Sequence, residues 1–139
     1  MSTFLSSRVI RGLQAKRANM PAPGPRNKYG NRKVIGFALD GSQVEFDSVR
    51  EAKRWSQLIL RQRAGEIRNL ERQVAFHFGD PPMRYVASNR KVKYVLDFRY
   101  QEVESEEWAH EDSKGMATRE FLLKQAMMLH FHGIEVLEV

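Results

Sequence analysis

Four residues of this 139-residue chain have the types and spacing to do chemistry together: Glu51, Asp97, Asp112 and Lys114. Asp97 interrupts a strand-like apolar run between Leu96 and Phe98, and Asp112-Ser113-Lys114 follows on what reads as the next strand. Residues two apart on a strand share a face, so Lys114 falls on the side of Asp112, and acids on neighbouring strands approach one another. Clustered carboxylates repel unless a cation lies between them. Hard divalent ions such as Mg²⁺ take oxygen ligands and keep several waters, so two carboxylates, a backbone carbonyl and a substrate phosphate complete a coordination shell. A bound ion would polarise the phosphate and acidify a coordinated water, and a nearby lysine would orient that water or stabilise charge at phosphorus.

Each residue also has a plainer role open to it. Asp-x-Lys is a common exposed pair. Glu51 fits as the N3 acid of a capping box begun by Ser48, and Asp97 could be neutralised by Lys114 or Arg99 instead of a metal. His110 shares a face with Asp112 and either lines a site or is simply exposed. His130-x-His132 reads as surface or C-capping histidines, because positions i and i+2 of a helix face different sides.

The elements that must position these residues follow from pattern. Two apolar runs, Val34–Leu39 and Val44–Phe46, flank Asp40-Gly41-Ser42, a hairpin signal. Val49, Ala52, Trp55, Leu58 and Ile59 recur at helical intervals behind Ser48 and stop near Gly65. One or two strand pieces are expected in Ile67–Phe78. Strands follow at Arg84–Ala87 and Val92–Tyr100 around Ser88-Asn89, then an acidic turn at 101–107 and a strand at Trp108–Lys114. A second helix is predicted over Thr118–His132 with Phe121, Leu122, Gln125, Met128 and Leu129 buried, Thr118 as N-cap and Gly133 as C-cap. Ile134–Val139 closes as a strand. The order describes a mixed α/β domain, a central sheet with helices packed on it, over residues 32–139.

Residues 1–31 read as a separate basic arm and linker. Apolar Phe4, Leu5, Val9, Ile10 and Leu13 suit a short amphipathic helix, and Pro21, Pro23 and Pro25 stop it. Charge is uneven: residues 1–39 carry eight basic residues and no acid, against 15 basic and 17 acidic residues in 40–139. The whole positive excess lies in the arm, while acids gather towards the end, with nine among residues 101–139. A basic arm beside an acidic cluster points to a polyanion partner and a metal. No apolar run approaches the roughly 20 residues that span a bilayer, which excludes a membrane-spanning role. The absence of Cys excludes disulfides, thiolate metal sites and cysteine nucleophiles, and with no secretory signal the expected location is intracellular.

Asp97 followed by Glu111-Asp112-Ser113-Lys114-Gly115 resembles the PD-(D/E)XK nuclease superfamily, in which an Asp and a D/E-x-K element lie on adjacent strands of a mixed sheet. Further strings are similar to a family of small bacteriophage proteins placed in that superfamily: Asn27-Lys28-Tyr29-Gly30-Asn31-Arg32-Lys33, Phe46-Asp47-Ser48 with Glu51-Ala52, Ala64-Gly65-Glu66-Ile67, Leu70-Glu71 with Gln73, and the closing Ile134–Val139. The resemblance covers about residues 27–139. Two departures stand out: Leu96 replaces the Pro of the superfamily's name, and Asp112 stands where Glu is commoner. Neither removes a ligand.

The resemblance implies a restriction-endonuclease-like fold and a Mg²⁺-dependent endodeoxyribonuclease, with Mn²⁺ substituting. Asp97, Asp112 and the Ser113 carbonyl would bind the metal, Glu51 would be the extra helical acid, and Lys114 would serve the nucleophilic water or leaving phosphate. Gln73 matches a position expected near the site, and Lys124 a helix that touches DNA. Arg26, Lys28, Arg32, Lys33, Arg90 and Lys91 are the further expected phosphate contacts. The expected substrate is branched DNA such as a Holliday junction, cut by a homodimer in the cytoplasm, that of a bacterial host if the gene is a phage's. The alternatives are a non-catalytic nucleic-acid-binding or packaging accessory protein and a nicking enzyme on duplex DNA.

Overall fold

The Asp40-Gly41 signal does build a hairpin. Asp40 Oδ1 accepts the Ser42 N–H at 2.9 Å and Gly41 takes φ 83°, turning β1 (Val34–Phe37) back onto β2 (Gln43–Phe46) in an antiparallel pair from Val34↔Phe46 to Phe37↔Gln43. The computed structural model describes residues 33–139. The expectations for the arm, including Arg26, Lys28 and Arg32, lie outside the described residues.

Helix α1 (Val49–Arg63) starts where the capping box places it, with Ser48 Oγ accepting the Glu51 N–H at 3.1 Å. Ala52, Trp55, Leu58 and Ile59, at helical spacing, are its buried residues. They join Phe46, Ile67, Phe98 and Tyr100 in one hydrophobic core, where Trp55 packs 5.9 Å from the Phe46 ring and donates its indole N–H to Phe37 O at 3.0 Å. Gly36 permits this approach: a Cβ there would lie 2.8 Å from the Phe46 ring.

The main sheet has the order β3-β4-β5-β6: β3 (Ile67–His77), β4 (Lys93–Glu102), β5 (Trp108–Asp112) and β6 (Leu137–Glu138). The first three run antiparallel, and β6 joins β5 in parallel after α2 (Arg119–His132). This is the mixed α/β architecture expected. The imperfect alternation of 67–78 has a physical cause: β3 is one continuous strand whose register shifts between Arg68 and Glu71, with Asn69 at φ 55°. Arg84–Ala87 is not a strand, since only one bridge, Arg84↔Lys91, forms there. The closing strand is shorter than expected.

Helix α2 carries the expected caps: Thr118 Oγ1 accepts the Phe121 N–H at 3.1 Å, and Gly133 ends the helix at φ 66°. Its buried stripe is narrower than expected. Phe121 and Met128 are buried, whereas Leu122 and Leu129 are 52% and 58% exposed, because the contact seam follows 121, 125 and 128 and leaves its flanks outside. Phe121 and Met128 form a second core with Phe78, Val92, Tyr94, Leu96 and Val136. Leu96 thus belongs to one core and Phe98 to the other, with Asp97 between them. Among the described residues no helix is long and apolar enough to cross a membrane.

Candidate functional site

The β4–β5 ladder runs from Gln101↔Trp108 to Phe98↔Glu111. Asp97 and Asp112 are the next residues along each strand, just past the last pair, where β5 ends. Both are buried. Asp97 Oδ2 accepts the Ser113 N–H at 2.8 Å, so one acid fixes the backbone that follows the other. Asp112 Oδ2 accepts from the Tyr94 hydroxyl, its carbonyl accepts the Val139 N–H at 3.0 Å, and Lys114 Nζ stands 3.3 Å from Oδ1. Asp112 Oδ1 is buried and has no hydrogen-bond donor, and Ser113 Oγ is in the same position.

The electrostatics are those of acids held together. Burial pushes the Asp97 carboxyl up to about 7, with the charges of Asp112 and Glu51 adding to the rise and the Ser113 N–H opposing it. Burial likewise raises Glu51, aided by Asp47 and Asp112 and opposed by the Ser48 hydroxyl and Lys114. Glu51, on the first turn of α1, therefore senses both Asp112 and Lys114. The Tyr94 hydroxyl is pushed up by burial and by Asp112, which keeps it a donor.

Among the described residues no group of three or more His, Cys, Asp and Glu closes round a point as a complete protein cage for a metal. Mg²⁺ does not need one, since it usually binds through one or two carboxylates and retains waters. A buried carboxylate oxygen with no hydrogen bond and only one ammonium beside it, next to a second buried acid, fits that ion's chemistry. The alternative neutralisation of Asp97 by Arg99 is not seen: Arg99 Nε donates to Glu71 Oε2 at 2.7 Å.

Glu111, the other acid of the motif, points away and serves the fold. Arg54 grips it with Nε at 2.8 Å and Nη2 at 2.6 Å, and the Tyr100 hydroxyl donates at 2.6 Å. Neither Arg54 nor Tyr100 was legible as its partner, since the pairs are 57 and 11 residues apart. Gln73 sits between Arg72, opposite Phe98, and Val74, opposite Leu96, and so at the level of Asp97; it is exposed, at φ 54°. His110 pairs with Arg99 and lines a separate groove with Trp108 and Glu135. Lys33 pairs with Glu45 at 2.9 Å on the β1–β2 hairpin.

A groove of about 530 Å³ opens beside Asp112, lined by the cations Arg90, Lys91, Lys93, Lys114 and Lys124, by Tyr85, Tyr94 and Phe121, and by one acid, Glu120, which pairs with Lys124 at 3.1 Å. Arg90, Lys91 and Lys124 were expected near nucleic acid. Lys93 belongs to the basic stretch 84–93 expected to grip phosphates, whereas Tyr85 and Tyr94 were not expected there. Lys114 and Tyr94, the two side chains that touch Asp112, also line this groove.

Residues 26–137 match the model of a family described as "Protein of unknown function (DUF1064)". No curated protein and no solved structure matches the chain.

Proposed function

The chain belongs to the DUF1064 family, of unknown function, over most of its length, and from its own pair of buried acids beside a largely cationic groove we propose that it is a metal-dependent endonuclease hydrolysing phosphodiester bonds in DNA. The observation that carries the reading is the meeting of Asp97 and Asp112 past the last ladder pair, with Asp112 Oδ1 lacking a hydrogen bond and held only by the ion pair to Lys114 Nζ at 3.3 Å.

Asp97, Asp112 and the Ser113 carbonyl are the groups that would hold Mg²⁺, with Mn²⁺ as a substitute; Glu51, expected as a further ligand, forms no three-acid group with them and acts on Asp112 only through its charge. When bound, the ion supplies Lewis acidity at the phosphate and a more acidic water. The chain's own residues supply the rest. Ser113 N–H and Tyr94 O–H hold the two carboxylates in place, and the cations of the groove bind the phosphates flanking the scissile one. Lys114 orients the attacking water and offsets negative charge as the P–O bond to the leaving oxygen breaks. The superfamily-like fold, a branched substrate such as a Holliday junction, a homodimer with two such sites and action in a bacterial cytoplasm extend the same reading.

The test is cleavage of labelled four-way junction, flap, single-stranded and linear duplex DNA in Mg²⁺ or Mn²⁺ by the wild type, Asp97→Ala and Lys114→Ala. Paired symmetric cuts on the junction, lost in both variants and in EDTA, are the expected result. Single-strand cuts in plain duplex would make it a nicking enzyme. Binding with no cutting under any metal would leave a non-catalytic nucleic-acid-binding protein.

A further inference from the structure

The connection between β3 and β4 is a second hairpin, built without strands. Its base is anchored by Phe78 and Val92 in the α2 core, and Val92 N–H donates to Met83 O at 2.9 Å. Above that lie the Arg84↔Lys91 bridge, Tyr85 N–H to Arg90 O at 2.9 Å, Asn89 N–H to Tyr85 O at 2.8 Å, and the Arg84 guanidinium on Asn89 O at 2.8 Å. A segment so cross-braced holds its shape. Yet its tip is apolar and bare: Val86 is 102% exposed and Tyr85 is 48% exposed.

Val86 at this tip adds nothing to the packing of the fold, and the charges beside it are mostly basic, with Glu120 the one acid among the residues that line the groove. Between Asp80 and Asp97 there is no acid and there are four cations, Arg84, Arg90, Lys91 and Lys93. Three of these line the groove that also contains Lys114. A partner must therefore be a polyanion that also offers an apolar slot, and it must run on towards Asp112. DNA offers both, since its phosphates flank stacked bases between which small apolar side chains insert.

We propose that the 83–92 hairpin is a wedge that seats Tyr85 and Val86 against unstacked bases while Arg84, Arg90 and Lys91 hold the neighbouring phosphates. Inserting into an intact stack is costly, and least so where stacking is already broken. The wedge therefore selects branched, flapped or mismatched DNA over plain duplex. The assignment rests on the nuclease reading only for the fate of the phosphate delivered to Asp112; recognition of the branch is the hairpin's own property.

The experiment uses the full chain, in Ca²⁺ or EDTA to separate binding from cutting, with a four-way junction carrying 2-aminopurine at the branch and a matched linear duplex. Wild type is expected to raise 2-aminopurine fluorescence on the junction and to prefer it over duplex. Val86→Ser and Tyr85→Ala are expected to lose the fluorescence rise and roughly tenfold of that preference, with thermal unfolding unchanged in Val86→Ser because that side chain is fully exposed. Unchanged fluorescence and preference in Val86→Ser would overturn the wedge even if the protein cleaves DNA. A fluorescence rise without cleavage in Mg²⁺ would sustain the wedge and remove the nuclease. Binding to anionic phospholipid vesicles but not to DNA would overturn both.

Discussion

Asp97 reaches across from β4 and accepts, at 2.8 Å, the backbone N–H of Ser113, the residue between Asp112 and Lys114. The carboxylate that would share a metal with Asp112 is thus also the group that sets where Asp112 and Lys114 stand. Replacing it would remove a proposed ligand and loosen the other two residues together, so Asp97 and Lys114 substitutions are expected to be strongly non-additive.

Tyr94 offers a test of positioning without touching a ligand. Its hydroxyl donates to Asp112 Oδ2, and Tyr94→Phe leaves that oxygen free to rotate. Loss of such an outer partner lowers metal affinity by about 10–100-fold. The Mg²⁺ concentration for half-maximal cleavage should rise accordingly, with the rate recovering at saturating metal, as titration of initial rates would show.

The raised Asp97 carboxyl gives a pH dependence with a definite sign. Its folded value of about 7 lies above that of an unfolded Asp, about 3.9. Between the two, the folded state binds more protons than the unfolded, so stability is full at low pH and declines as pH rises through this window. Thermal midpoints in EDTA should fall from about pH 4 to about pH 7 and then level off, and Asp97→Asn should flatten the slope. Added Mg²⁺ should raise the midpoint chiefly above that window, where the carboxylate is charged.

Arg54 and Glu111 form a bidentate pair in which Glu111 is buried. Arg54→Ala strands that charge and should cost about 3–5 kcal/mol in urea unfolding. Replacing the set with Arg54→Met, Glu111→Leu and Tyr100→Phe should restore most of the loss, because no polar group is then left unpaired.

Gly36 is required by space. Gly36→Ala drives a methyl into the Phe46 ring and should destabilise by about 1–3 kcal/mol. Phe46→Leu in the same chain should recover part of it, measurable by the same unfolding series.

Loss of groove cations should be read in salt. If Arg90 and Lys91 each neutralise a phosphate, alanine at both positions should reduce the slope of log affinity against log salt by about 0.9 per lost contact. Fluorescence anisotropy on duplex DNA across a salt series would show it.

Local chemistry made much of the fold legible. Ser48, Thr118 and Gly133 cap where their types dictate, and Asp40-Gly41 turns the first hairpin. What stayed hidden needed distance. The β3 register shift cannot be seen without β4, and the narrow stripe of α2 depends on how it seats on the second core. Asp97 and Asp112 were readable as neighbours because strand alternation and a charge inside an apolar run are local signals, whereas Lys114 reaches Asp112 from beyond the end of β5 and not through the alternation expected of a strand running to 114. Tyr94 was not, because an aromatic in a strand looks the same whether it only packs or also donates to a carboxylate.

Leu96 packs in the core under α2 and Phe98 in the core under α1, so Asp97 rides on the seam between two apolar bodies. Cooperative units of a protein need not loosen at the same temperature. Whichever core yields first would pull the carboxylate out of register while the other kept its secondary structure. Asp97 is then a mechanical fuse: on heating, its hold on the Ser113 N–H would fail ahead of the far-ultraviolet circular dichroism, at a temperature set by the weaker of the two cores.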